Sequence, residues 1–354
     1  MLVGTKAQLV KMAPVIKLME QRKLPFKFVL TGQHTETLDD LIAAFGIRQP
    51  DDVLVDIGES DTRFKLFRWL VTASNAVGKR TYFREGAKAI LVHGDTLSTL
   101  FGALVGKRYT IPVAHIEAGL RSYNYFHPFP EEIIRVLVSR LSSVHYSPGK
   151  WACNNLGGIS GIIVDTQENT LLDSLRYAIE NINLADGGAD DYAVVSMHRH
   201  ENLSNRRRLE FLLEEVVQMS EAINVKFILH PVTRTTLAKT GLISKLEGAK
   251  NVTLSQRMSY LEFISLLSCA RFLVTDGGSN QEEASYMQLP CLLLRKHTER
   301  QEGLNQKVVI SEYSAEVIRE FVSKNSNSDQ TRKYSLPNVS PASIIVDHLF
   351  SGQT

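Results

Sequence analysis

The chain reads as an α/β protein built from two doubly wound domains, and three observations predict it. Its 354 residues exceed what one hydrophobic core comfortably organises. Short runs rich in Val, Ile and Leu recur, each followed by a longer stretch with helical spacing. The runs are continuously apolar rather than alternating, as in strands covered on both faces of a parallel sheet. The βαβα alternation occurs twice, which favours two domains over one long sheet.

Taken in order, the first strand has room only from Met1 to Gly4, short for a central strand. The chain is therefore expected either to begin later than its relatives or to carry a curtailed strand. A helical stretch over 7–21 follows, and then the runs KFVLTG (27–32), AILVHG (89–94) and IPVAHIE (111–117). A helix over 130–141 leads to IIVDT (162–166), and a helix over 169–181 is placed to connect the domains. The Gly-rich, acidic LADGGADD (184–191) marks the boundary. The second series is YAVVSMH (192–198), KFILHP (226–231), NVTL (251–254), RFLVTDGG (271–278) and PCLLLR (290–295), with helices over 206–219 and 260–270. A polar Ser/Asn stretch (324–341) precedes a last apolar helix over 342–350. The expected division is 1–168, joined by 338–354, and 169–337.

Composition excludes several classes. Forty basic against 38 acidic residues leave a formal charge of +2, no electrostatic case for nucleic acid. An anion must be caught locally. Cys153, Cys269 and Cys291 are few, far apart and odd in number, which argues against disulfides or zinc and for a reducing compartment. No apolar run approaches the roughly 20 residues that span a bilayer. The start MLVGTKAQLV lacks the pattern of a secretion signal, so the cytoplasm is expected.

In open parallel sheets, ligands collect at the carboxyl ends of the strands. Here those ends read His93-Gly94-Asp95-Thr96, His115-Ile116-Glu117, His198-Arg199-His200-Glu201, His230-Pro231 and Asp276-Gly277-Gly278-Ser279. Asp95 alone could equally be a helix N-cap, and any one of these histidines a packed side chain. Their concentration favours a site. The stretch HIEAGLRSYNYFHPFPEE (115–132) adds three carboxylates and two histidines around a row of aromatics. In DGGSNQEEA (276–284), Gly278 and Ser279 open a helix whose free N–H groups suit a phosphate. Glu282 and Glu283 on its first turns suit ribose hydroxyls. Lys6, Arg199, Arg295 and Arg300 could complete a phosphate site, although each taken alone reads as a solvated charge.

HGDT (93–96), HIEAGLRS (115–122), PFPEE (128–132), HRHEN (198–202), DGGSNQEEA (276–284) and TERQE (298–302) stand in an order that resembles the UDP-N-acetylglucosamine 2-epimerase family, non-hydrolysing type. The likeness runs from KMAPVIK through TGQH (31–34) to LNQKVVIS (304–311). It implies a GT-B-like pair of Rossmann domains with the active site in the interdomain cleft, and a final helix that returns to the first domain. It further implies a homodimer acting on a UDP-sugar, with no cofactor and no metal. By motif it carries catalytic roles to Asp95, Glu117, Glu131 and His198, the last at the departing β-phosphate. Lys6, Arg121, Arg199, His230, Gly278, Ser279, Glu283 and Arg300 are expected to bind substrate, with Arg121 also holding the carboxylates oriented. The UDP-binding residues are expected mainly in the second domain.

Departures stand beside the likeness. The usual GTRPE reads Gly4-Thr5-Lys6-Ala7-Gln8, which replaces a guanidinium fork with a point charge. The usual DSGG reads Asp276-Gly277-Gly278-Ser279, Ile133-Ile134 follow PEE where an Asn is more common before the Arg, and Val232 stands for an Arg in HPVTR. Three alternatives to a non-hydrolysing epimerase follow: a hydrolysing relative releasing ManNAc and UDP, a GT-B glycosyltransferase, and a non-catalytic nucleotide-sugar binder. The carboxylate cluster counts against the transferase.

Overall fold

A computed structural model describes residues 1–32, 38–55, 63–125, 129–182, 191–326 and 336–351. Gln33 and His34 of TGQH, His127, the boundary stretch up to residue 190 and the Ser/Asn stretch over 327–335 lie outside the described residues. The chain divides into two compact units, Met1–Tyr177 with Asn338–Thr354, and Ala178–Pro337.

In the first unit, strands β1 (Leu2–Val3), β2 (Val29–Leu30) and β3 (Asp52–Val53) pair in parallel. So do β4 (Ile90–His93), β5 (Val113–Ile116), β6 (Val144–Ser147) and β7 (Ile162–Asp165). These are two sheets, of order 1-2-3 and 4-5-6-7, and β1 packs alongside β4, so the strand order turns back between them as at a topological switch. The core around these sheets holds Val29, Trp69, Val92, Phe101 and Val138, all at or near full burial. The Trp69 indole N–H donates to the Thr31 carbonyl at 2.9 Å, which satisfies its one polar atom. The final helix Pro341–Phe350 packs within this unit against the helix Lys6–Gln21. An Arg22–Asp347 ion pair joins the two helices at their surface, and a Tyr146–His348 hydrogen bond of 2.9 Å ties the final helix to β6.

The second unit carries β8 (Tyr192–Ser196), β9 (Asn224–Leu229), β10 (Val252–Gln256), β11 (Leu273–Thr275), β12 (Cys291–Leu293) and β13 (Val308–Ile310). They form one parallel sheet in the order 10-9-8-11-12-13, which repeats the doubly wound order with its switch between β8 and β11. Phe227, Phe272, Leu209 and Leu213 fill its core. The continuous apolar runs do become parallel strands, buried throughout in β4, β5, β8, β11 and β12, whereas the edge strands β7 and β10 stay partly exposed. The runs were not complete: β3, β6 and β13 were not among them. β6 reads Val-His-Tyr-Ser, where two polar residues break the apolar run although His145 and Ser147 are fully buried.

Candidate active site

In the first unit the strand ends hold a connected set of charges. Glu117 follows β5 and adopts a left-handed backbone, φ +64°. Its carboxylate is buried between two partners: Lys11 Nζ at 2.6 Å and His93 Nε2 at 3.4 Å. Burial pushes the His93 ring down to about 4, against the pull of Glu117, so His93 is neutral near pH 7. His115 donates its Nε2–H to the Gly94 carbonyl at 2.8 Å, inside the turn that presents Asp95. Burial lowers it to about 4 as well.

Asp95 lies after β4, partly exposed, with Oδ2 2.6 Å from Arg135. It does not cap the following helix, Leu97–Tyr109. Thr96 does, accepting from the Thr99 amide. The helix Glu131–Leu141 supplies Glu131, Glu132 and Arg135 from its first turns. Arg121 pairs with Glu132 rather than with Asp95, Glu117 or Glu131. Its Nε donates to buried Glu132 at 2.6 Å. Glu132 also accepts from the Ser122 and Tyr123 amides and pairs with Arg135 at 3.3 Å. Burial opposes the Glu132 charge, but the Ser122 amide and the guanidiniums outweigh it and hold its carboxyl below the usual range. Residues 121–123 are thereby stapled to the helix Glu131–Leu141. Gly119 allows the fold to close there, since its φ is +86° and a Cβ would sit 2.1 Å from the Ala152 carbonyl oxygen.

In the second unit Asp276, fully buried after β11, organises the end of β8. It accepts the His198 amide at 3.0 Å, the Arg199 amide at 2.9 Å and Asn202 Nδ2 at 3.0 Å. The His198 ring is 36% exposed, with Nδ1 3.5 Å from Asp276 and its face 4.5 Å from the His230 ring. Burial lowers the His198 ring's pKa, and Asp276 counters part of this. His230 bonds Ser196 at 3.2 Å. Gly277 caps the helix Gly278–Tyr286, whose first residues are Gly278 and Ser279.

The basic residues are mostly engaged. Arg300 lies 2.5 Å from the Oε2 of buried Glu282. Arg199 lies 3.7 Å from Glu299, and Arg295 lies 3.1 Å from Glu299. Glu283, 3% exposed, accepts Asn280 Nδ2 at 2.9 Å. Lys6 opens the first helix after its Thr5 cap. Sequence reasoning missed Lys11, Arg135, Glu132 and Asn280. Arg135 was legible in part, because its position four after Glu131 and three after Glu132 places all three on one helix face.

A family model described as UDP-N-acetylglucosamine 2-epimerase matches residues 16–341. The UDP-N-acetylglucosamine 2-epimerase of Methanocaldococcus jannaschii is 31% identical over 318 residues, 85% of this chain and 84% of the relative. Its counterpart from Methanococcus maripaludis is 32% identical over 322 residues, 86% and 84% of the two chains. The crystal structure of the M. jannaschii UDP-GlcNAc 2-epimerase in complex with UDP-GlcNAc and UDP matches with a TM-score of 0.86 at 30% identity, covering 99% of each chain. The Neisseria meningitidis UDP-GlcNAc 2-epimerase bound to UDP-GlcNAc gives 0.82 at 28% identity, again over 99% of each.

Proposed function

From the premise that the chain belongs to the UDP-N-acetylglucosamine 2-epimerase family, we propose that it interconverts UDP-GlcNAc and UDP-ManNAc, or a modified UDP-HexNAc pair. The C2–H is not acidic, so a carboxylate takes that proton as UDP leaves C1. The C2–H and C1–O bonds break and a C1=C2 double bond forms, giving a 2-acetamidoglucal. A proton then returns to C2 on the opposite face as UDP adds back to C1. No electrons leave the substrate, so the reaction calls for no redox carrier.

Asp95, Glu117 and Glu131 carry the proton transfers and His198 supports charge on the β-phosphate. The N–H groups at Gly278 and Ser279 hold phosphate, with Lys6, Arg199, His230 and Arg300 around the nucleotide, and Glu283 accepts from the ribose. Arg121 acts one step back, through Glu132. The observation that carries this reading is the pairing at neighbouring strand ends: Asp95 with Arg135 of the helix that Glu131 opens, and Glu117 with Lys11. No helix among the described residues is long and apolar enough to cross a membrane. The premise also carries over a homodimer in the cytoplasm. A monomeric mass by light scattering would remove the dimer.

The test is incubation with UDP-GlcNAc in deuterated water, followed at C2 by NMR. Deuterium at C2 together with UDP-ManNAc is the expected result. Free ManNAc and UDP would select the hydrolysing reaction, and intact substrate without exchange would sink both. Asp95→Asn should stay folded and bind UDP while losing exchange by about 10²–10⁴-fold, the usual worth of a general acid–base group. Exchange near the wild-type rate would remove Asp95 from the chemistry.

A further inference from the structure

Tyr313 stands on a backbone that few side chains adopt. The turn after β13 places Glu312 at φ +50° and Tyr313 at φ +62°, two left-handed residues in succession and neither a glycine. β11 and β12 lie between β13 and β8, so this turn carries the ring back towards the strand end that presents His198. There the Tyr313 hydroxyl donates to Asn202 Oδ1 at 2.9 Å. Asn202, fully buried in the helix His200–Leu203, donates through Nδ2 to Asp276 Oδ2 and to the Leu294 carbonyl, each at 3.0 Å. The Arg199 amide reaches the same Oδ2 at 2.9 Å, and the His198 amide is shared between the two oxygens. Oδ1 lies 3.5 Å from His198 Nδ1. Asn202 and the Arg199 amide thus load one carboxylate oxygen and leave the other turned to the imidazole. Arg208 secures the far end. Its guanidinium lies 4.3 Å over the Tyr313 ring, and it donates to the Glu201 carbonyl at 2.9 Å.

We infer that Tyr313 is a positioning residue for the epimerisation, acting on His198 through Asn202 and Asp276. Its hydroxyl holds the Asn202 amide by the oxygen, so both amide hydrogens stay on Asp276 and the Leu294 carbonyl. A carboxylate beside Nδ1 places a ring proton there, fixes the rotation of the ring and favours the imidazolium that meets a departing phosphate. The inference rests on the reading of His198 as the group that supports charge on the β-phosphate.

The experiment follows C2 deuterium exchange in UDP-GlcNAc, UDP binding by calorimetry and the NMR shifts of the His198 ring nitrogens. It compares wild-type protein, Tyr313→Phe, His198→Gln and the double variant. Phenylalanine keeps the ring beside Arg208 and removes the hydroxyl alone. Tyr313→Phe should lower kcat by about three- to tenfold, the scale of one hydrogen bond, with KM and the UDP Kd within about twofold. Its His198 ring proton should be shared more evenly between the two nitrogens than in the wild type. In the His198→Gln background, itself slowed by about 10²-fold, the effect of Tyr313→Phe on kcat should vanish. Wild-type protein without exchange, or His198→Gln exchanging at the wild-type rate, overturns the reading of His198 and this inference with it. An unchanged kcat or an unchanged His198 ring in Tyr313→Phe overturns the inference alone. So does the same fold loss with and without His198, or a loss of UDP binding as large as the loss of kcat, which marks a merely structural role.

Discussion

Glu117 is held in a backbone conformation that costs a non-glycine residue on the order of 1–2 kcal/mol, and strain of this kind gathers at functional sites. Its side chain is fixed by the Lys11 ammonium, with both side chains at least 94% buried by the 4% and 6% exposures. A buried pair of this kind contributes little net stability, yet removing one partner strands a charge. Lys11→Ala should therefore cost about 3–5 kcal/mol in urea unfolding, while Lys11→Met combined with Glu117→Gln recovers most of the loss. A Lys11→Ala cost below about 1 kcal/mol, or additive costs in the double variant, would contradict the pairing. Sequence reasoning could find Glu117 and Asp95 because strand ends carry them. It could not find Lys11, which lies 106 residues from its partner and looks, in KMAPVIK, like any basic position on a helix. The same limit made Asp95 look like a cap, although Thr96 beside it makes the cap bonds.

Between elements, Gln8 joins the short first strand to β4 in the neighbouring sheet. Its Oε1 accepts the Gly4 amide at 2.8 Å and the Thr5 amide at 3.2 Å, completing a capping box with Thr5. Its Nε2 donates to the His93 carbonyl at 2.6 Å and to Thr99 Oγ1 at 2.9 Å. The passage between the two-residue β1 and β4 is thus bridged by one amide. Gln8→Ala should destabilise by about 1–3 kcal/mol, the cost of leaving buried groups unsatisfied, and more than a surface cap loss. Gln8→Glu keeps the acceptor and loses the donor, so it should rescue the cap and still weaken the β4 contact. Equal stability of wild type and Gln8→Ala in a urea titration would refute the bridge. Strand identity was legible in most apolar runs, although the three-residue β13 (Val308–Ile310) was passed over. β6 was hidden because His145 and Ser147 supply its buried positions, a choice that hydrophobic periodicity cannot see.

At the scale of the molecule, two Rossmann-like units of the GT-B type carry unequal loads of buried imidazole, and acid should separate them. In the first unit His93 and His115 are pushed by burial from 6.5 to about 4, and burial lowers His145 on β6 as well. Between those values the unfolded chain binds protons that the folded unit refuses, so stability falls as pH drops from 6.5 towards 4. His93 and His115 each withdraw roughly 3 kcal/mol across that window. Glu132, held low, acts in the same direction only below its ordinary 4.5. Asp173, which burial raises, opposes it in a window that starts at its ordinary 3.8. In the second unit His198 is pushed the same way against the pull of Asp276, a single ring set against His93, His115 and His145. Hydrogen exchange, corrected for the intrinsic effect of pH, should therefore show the amides of β4 and β5 losing protection between pH 7 and 5 before those of β8 and β9. His93→Asn with His115→Gln should reduce that response to the part His145 carries, because neither replacement titrates. Strands of both units loosening together, or a double variant with an unchanged pH response, would assign acid sensitivity to groups other than these two imidazoles.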